Sequence, residues 1–165
     1  MKKLLLSAVA FCCFGAVSAQ DNPLWLRFPS ISPDGKTIAY TCRKKTGKAY
    51  ALSTNSDIYF YNIESGKTEN KTEGMMGYDQ NPVFSPDGQW LAWESMERDG
   101  YESDRTRLCV LDLKTGAKTY VTEAFQSGVD GFCWAADSRS FYFTGVWQAR
   151  SMIHSTNLKG EVRPL

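Results

Sequence analysis

Few residues in this chain are equipped for chemistry. One histidine is present, His154, in "MIHSTN". A Ser-His-Asp triad needs an imidazole that touches the nucleophile and is oriented by a carboxylate. No serine has glycine two residues before and two after it, so the G-x-S-x-G nucleophile elbow is absent. His154 sits at an alternating strand position, where packing or solvent exposure is expected instead of catalysis, and no catalytic residue is assigned. Beyond residue 19 the cysteines are Cys42, Cys109 and Cys133, in "YTCR", "LCVLDL" and "FCW". They show neither CxxC nor Cys/His ligand spacing, so no metal and no cofactor is expected. Each reads as a buried free thiol; one disulfide plus one thiol is the alternative, because three cannot all pair. The densest charged set, Glu97, Arg98, Glu102 and Asp104 in "ESMERDGYESDRTR", reads on its residues alone as a solvated, salt-bridged loop.

The elements that carry these residues come from a repeated phrase. "SPDGKTIAY", "SPDGQWLAW" and "AADSRSFYF" align so that Asp34, Asp87 and Asp137 fall in register at steps of 53 and 50 residues. Ile38, Leu91 and Phe141 align, as do Tyr40, Trp93 and Phe143. A period near 50 marks a repeat architecture. The runs "TIAY", "WLAW" and "SFYF" alternate and are rich in β-branched and aromatic residues, as strands are. Ser-Pro-Asp-Gly is turn chemistry: Pro presets φ, Asp bonds the local backbone, and Gly accepts positive φ. Asp34, Gly35, Asp87, Gly88 and Asp137 are therefore structural corners, with no role in catalysis or metal binding. A second strand pair follows in each unit, turning at Gly66, Gly116 and Gly160. Four short strands per unit predict an all-β fold, a β-propeller of four-stranded antiparallel blades with about three blades present. Their spans are roughly 24–74, 75–124 and 125–165. No segment shows a convincing helical period. The gaps between second and third strands, including "TGVWQARS" in the third unit, are expected to be variable recognition loops.

Residues 1–19 read separately. "MKK", an apolar run and "VSA" compose a secretory signal peptide, with cleavage expected after Ala19. The run is shorter than the roughly 20 residues of a spanning helix. Without Lys2 and Lys3, 17 basic and 18 acidic residues remain, which gives no support for nucleic acid or an anionic membrane as partner. Residues 20–165 are thus expected to be an exported partial propeller, periplasmic or extracellular, with no membrane contact after cleavage. Three blades do not close a ring. The threonines six residues after Gly66 and Gly116, Thr72 and Thr122, would have their counterpart at position 166. The expectation is an N-terminal piece of a longer chain.

The repeated "SPDG" corners followed by "IAY" and "LAW" strands resemble TolB-type propeller repeats. The stretch "SMERDGYESDRTRLCVLDLKTG" is similar to the N-terminal propeller of secreted bacterial peptidases of the prolyl oligopeptidase family, which includes dipeptidyl and acylaminoacyl peptidases. The resemblance covers most of residues 22–165. It implies a propeller that narrows access to a C-terminal α/β-hydrolase domain holding the triad, a domain absent here, with a peptide as substrate. In some such enzymes propeller carboxylates hold the peptide's amino terminus. The matching region would be the second-blade loop, with Arg98, Glu102 and Asp104 as substrate-binding candidates. The alternative is a non-catalytic, TolB-like periplasmic module with a protein partner.

Overall fold

The computed structural model describes residues 25–165. The expected signal peptide lies outside the described residues. Among the described residues twelve strands form three four-stranded antiparallel sheets, each in simple sequential order. Blade 1 holds β1 (Trp25–Ile31), β2 (Thr37–Arg43), β3 (Asp57–Asn62) and β4 (Thr68–Asn70). Blade 2 holds β5 (Asp79–Phe84), β6 (Trp90–Ser95), β7 (Arg107–Asp112) and β8 (Lys118–Tyr120). Blade 3 holds β9 (Val129–Trp134), β10 (Ser140–Trp147), β11 (Arg150–Asn157) and β12 (Arg163–Pro164). The chain is a nearly all-β propeller arc, and the three sheets do not close into a ring. One element departs from the expected pattern: a six-residue helix, α1 (Gly47–Leu52), sits in the β2–β3 connection and buries no residue.

The corners explain the repeated phrase. Asp34 Oδ1 accepts from the Lys36 N–H at 3.0 Å, Asp87 Oδ1 from Gln89 at 3.0 Å, and Asp137 Oδ1 from Arg139 at 2.8 Å. The serine of each Ser-Pro-Asp-Gly spans the turn. Ser32 Oγ donates to Asp34 at 2.6 Å and accepts from the Thr37 N–H at 2.9 Å; Ser85 repeats both bonds with Asp87 and Trp90. In the third corner Ala135 replaces that serine, and Ser140 Oγ donates to Asp137 instead, at 2.9 Å. Gly35 and Gly88 take φ of 72° and 68°; Ser138 holds the same left-handed position at 56°, with its Oγ accepting from the Asp87 N–H at 3.0 Å. The aligned threonines also have a job: Thr72 Oγ1 accepts from Ile58 N–H and Thr122 Oγ1 from Leu108 N–H, at 2.9 and 2.8 Å. Each closes the end of an outer strand onto its neighbour.

Two cores lie between the blades. Ala39, Ile58 and Phe60 of blade 1 meet Phe84, Leu91, Trp93, Cys109 and Leu111 of blade 2. Ala92, Leu108, Val110 and Val121 of blade 2 meet Phe141 and Phe143 of blade 3, with Trp90 and Trp134 packed beside them. The joints differ because Thr37 and Phe84 stand in blades 1 and 2 where Trp90 and Trp134 stand in blades 2 and 3. Two indoles fill the second joint, and Trp134 Nε1 donates across it to Val83 O at 3.0 Å. The first joint keeps a cleft of about 760 Å³ at its corner end, floored by Phe60, Phe84 and Leu111 and edged by Asp34 and Lys118.

Cys42, Cys109 and Cys133 are free thiols, but of these only Cys42 and Cys109 are buried. Cys133 is exposed, against expectation, because it pairs with Tyr142 on the face of blade 3 turned away from blade 2. "TGVWQARS" is not an open loop either. β10 and β11 run on through it to a two-residue turn at Gln148 and Ala149, both at positive φ (49° and 59°).

Candidate functional site

In an antiparallel blade, the first-to-second and third-to-fourth strand turns share one end, and the remaining connections share the other. The charged loops therefore gather opposite the Asp34, Asp87 and Asp137 corners. The connection from β6 to β7, residues 96–106, is the most elaborate. Asp104 organises it from within. Its Oδ2 accepts from the N–H of Glu97 and Arg98 at 3.0 and 2.9 Å, and its Oδ1 accepts from Arg98 Nη2 and the Arg105 N–H at 2.7 and 2.9 Å. The Arg98 guanidinium and these amides hold the Asp104 carboxyl well below the usual carboxylate range. Arg98 also covers the Tyr101 ring at 4.2 Å.

Asp99 ties this loop to blade 1. Its Oδ1 accepts from Ser53 Oγ and Thr54 N–H, both at 2.7 Å, and from Asn55 N–H at 3.1 Å, while Lys45 Nζ lies 3.8 Å from Oδ2. The Ser53 hydroxyl leads the contacts that lower its pKa. Gly100 N–H adds a bond to Thr54 Oγ1 at 2.9 Å. Beneath it, Gly77 takes φ 79°, and a Cβ there would stand 2.8 Å from Met96 O, so the loop passes over a position only glycine fits.

On the other flank Arg107, mostly buried, bridges Glu123 at 3.0 Å and Glu97 at 3.3 Å while lying over the Tyr120 ring at 4.0 Å. Arg105 pairs with Glu123 at 3.1 Å and donates to Phe125 O at 3.1 Å. Of the sequence candidates, then, Arg98 and Asp104 meet each other, Glu97 meets Arg107, and Glu102 stands exposed beside Tyr101 without joining them. Both Asp104 oxygens are engaged within the loop. The solvent-facing carboxylates of the loop are Glu97, whose side chain is 72 % exposed although it pairs with Arg107, and Glu102.

Sequence reading missed an inner carboxyl. Glu94 of β6 is buried against blade 3, where it accepts from Gly131 N–H at 3.1 Å and from the Asn81 and Gln80 side-chain amides at 3.5 Å. Burial, aided by the charge of Asp130, raises its pKa. Asn81 and Gly131 mark irregularities of the innermost strands, at φ 56° and 81°; Phe28 holds the equivalent place in blade 1 at 51°. The available signal was a lone acid inside the buried alternation of "LAWES". Among the described residues no group of three or more His, Cys, Asp or Glu is arranged to hold a metal ion.

No family model matches the chain. Dipeptidyl-peptidase 5 of Porphyromonas gingivalis is 56 % identical over 137 residues, which is 82 % of this chain and 20 % of that protein. Dipeptidyl-peptidase 5 of Porphyromonas endodontalis is 54 % identical over 132 residues, 80 % of this chain and 19 % of that one. The chain thus spans about a fifth of the length of these relatives. Among solved structures, TolB from Acinetobacter baumannii superposes with a TM-score of 0.63 at 19 % identity, covering 84 % of this chain and 31 % of that one. The β-propeller domain of the trilobed protease from Pyrococcus furiosus gives 0.62 at 20 %, covering 85 % and 41 %. A puromycin-hydrolyzing peptidase of Mycobacterium tuberculosis gives 0.64 at 18 %, covering 86 % and 23 %. At these identities the structures bear on fold alone. With the repeat, the three sheets and its dipeptidyl-peptidase 5 relatives taken together, the chain belongs to the β-propellers of the prolyl oligopeptidase family, built from TolB-type repeats.

Proposed function

We propose that these blades form part of a propeller standing over the active site of an exported serine peptidase. Their loop-bearing end guides a peptide toward a hydrolase domain that the described residues do not contain. The identity to dipeptidyl-peptidase 5 over 137 residues carries this reading. The chemistry of the 96–106 loop agrees with it. Asp104 and Arg98 set the loop's shape, Asp99 fixes it to blade 1, and Glu97 and Glu102 present carboxylates suited to a peptide's ammonium end. The reading includes export through residues 1–19, which N-terminal sequencing of the secreted product checks by starting at Gln20.

The test uses the full-length protein and dipeptidyl chromogenic substrates. Hydrolysis is expected, sensitive to a serine-directed inhibitor. Glu102→Gln is expected to raise KM several-fold, on the order of 1 kcal/mol of lost charge pairing, with kcat nearly unchanged. N-blocked substrates should not register the change. An equal effect on blocked and free substrates would remove Glu102 from substrate binding. The alternative reading is a non-catalytic, TolB-like module with a protein partner. A full-length product that hydrolyses no peptide would move the function there.

A further inference from the structure

The outer rim between blades 2 and 3 holds a pocket that the peptidase reading does not use. In blade 2, Cys109 pairs with Trp93 on one side and Tyr120 on the other. The same positions in blade 3 are His154, paired with Phe143 and Pro164. Tyr120 fills the first joint: its ring packs on that core and its hydroxyl lies 3.4 Å from Ser95 Oγ. Pro164 offers no such ring. A cleft of about 400 Å³ is left, lined by Phe125, Gln126, Trp147, His154, Val162 and Pro164.

The imidazole in this cleft is unusual. His154 is only 3 % exposed. It stacks on Phe143 at 5.3 Å and 18°, and Phe125 tilts against it at 4.8 Å. Its Nδ1 is buried with no hydrogen-bond partner among the described residues. Buried polar nitrogens are almost always paired, so an orphan of this kind points to a missing partner. Trp147, half exposed at the cleft edge, is held there by the Gln148–Ala149 turn. Both turn residues occupy the left-handed region that such hairpins usually give to Asn-Gly, and backbone strain of this sort collects at binding sites. No Asp, Glu, Lys or Arg lines the cleft, which suits a neutral group better than a charged one.

We propose that this cleft binds a phenolic ring, with the ring against Phe125 and Trp147 and the hydroxyl serving the unpaired His154 nitrogen. The ligand would restore from outside what Tyr120 supplies from within in the preceding joint. The phenol can come from a tyrosine side chain on a peptide or from a free aromatic alcohol. The proposal does not rest on the peptidase reading.

The experiment titrates the full-length protein with p-cresol, observed by saturation-transfer NMR. Toluene, which lacks the hydroxyl, is the control, and N-acetyl-tyrosinamide is the competitor. Saturable p-cresol binding, at least about tenfold tighter than toluene, is expected. Pro164→Tyr, which installs the ring of blade 2, should abolish it. His154→Cys, the residue at the same position in blade 2, should weaken p-cresol by about tenfold without changing toluene. Competition by N-acetyl-tyrosinamide assigns the tyrosine source, and its failure beside good p-cresol binding assigns the free phenol. No p-cresol binding, equal binding of toluene, or binding that survives both substitutions would overturn the proposal. Peptide hydrolysis measured on the same variants reports separately on the peptidase reading.

Discussion

Asp79 is wholly buried at the joint of blades 1 and 2, where its Oδ1 accepts from Trp93 Nε1 at 2.8 Å and its Oδ2 lacks a well-formed hydrogen bond among the described residues. Burial pushes its pKa to about 7, against the dipoles of Ser95, Trp93 and Thr72, with Asp57 adding to the rise; the same surroundings push the Cys109 thiol to about 12. The unfolded chain releases the Asp79 proton near 3.8, the folded chain near 7. Between those values the folded state binds more protons, so stability falls as pH rises from about 4 to about 7 and then levels off. The loss is at most about 4 kcal/mol. Asp79→Asn is expected to keep the Trp93 bond, flatten that slope and raise the denaturation midpoint at pH 8. Urea unfolding at pH 5 and pH 8 checks it, and an unchanged slope would show that Asp79 is not the titrating group. At this scale the corners were legible and the buried acids were not. Asp34 and Asp87 bond amides two residues on, a purely local event that turn composition announces. Asp79 and Glu94 owe their state to the neighbouring blade, which no local pattern describes.

The strands and their order were legible because period-two alternation and glycine corners recur three times. The elements that escaped lack such signals. Gln148 and Ala149 turn a hairpin without Asn or Gly, and α1 is too short to show a period. The two joints also solve one packing problem differently. Met75 and Ser95 in the first correspond to Phe125 and Gly145 in the second. A Cβ on Gly145 would stand 2.7 Å from Phe125 Cε1 and 3.0 Å from Gly128 O, so the larger ring and the missing side chain belong together. Gly145→Ala is expected to cost about 2–3 kcal/mol, and adding Phe125→Met should recover roughly half. Denaturant midpoints of the single and double variants measure this coupling; strictly additive losses would mean that Phe125 is not what excludes the side chain.

Across the whole molecule, apolar surface remains on both outer faces of the arc: Leu26, Ile31 and Tyr61 on blade 1, Tyr142 and Ile153 on blade 3. Residues 25–165 produced alone are expected to self-associate through these faces and unpaired edges. Light scattering should show a concentration-dependent mass, reduced by Tyr142→Lys with Ile153→Lys. A monodisperse product at high concentration would count against an open arc. The candidate site was half legible at this scale. The charge of the 96–106 loop was plain, but its attachment through Asp99 to blade 1 and through Arg107 to Glu123 joins segments far apart in sequence.

The unequal joints have a mechanical consequence. Blades 1 and 2 are fastened at the loop end by Asp99, while at the corner end Thr37 leaves a cleft where two indoles fill the equivalent space between blades 2 and 3. The first joint is therefore less completely filled at its corner end than at its loop end. Any rocking of blade 1 would pivot at the charged loops and have its amplitude at the Asp34 corner. The most densely bonded surface of the arc would thus also be the one such a motion displaces least.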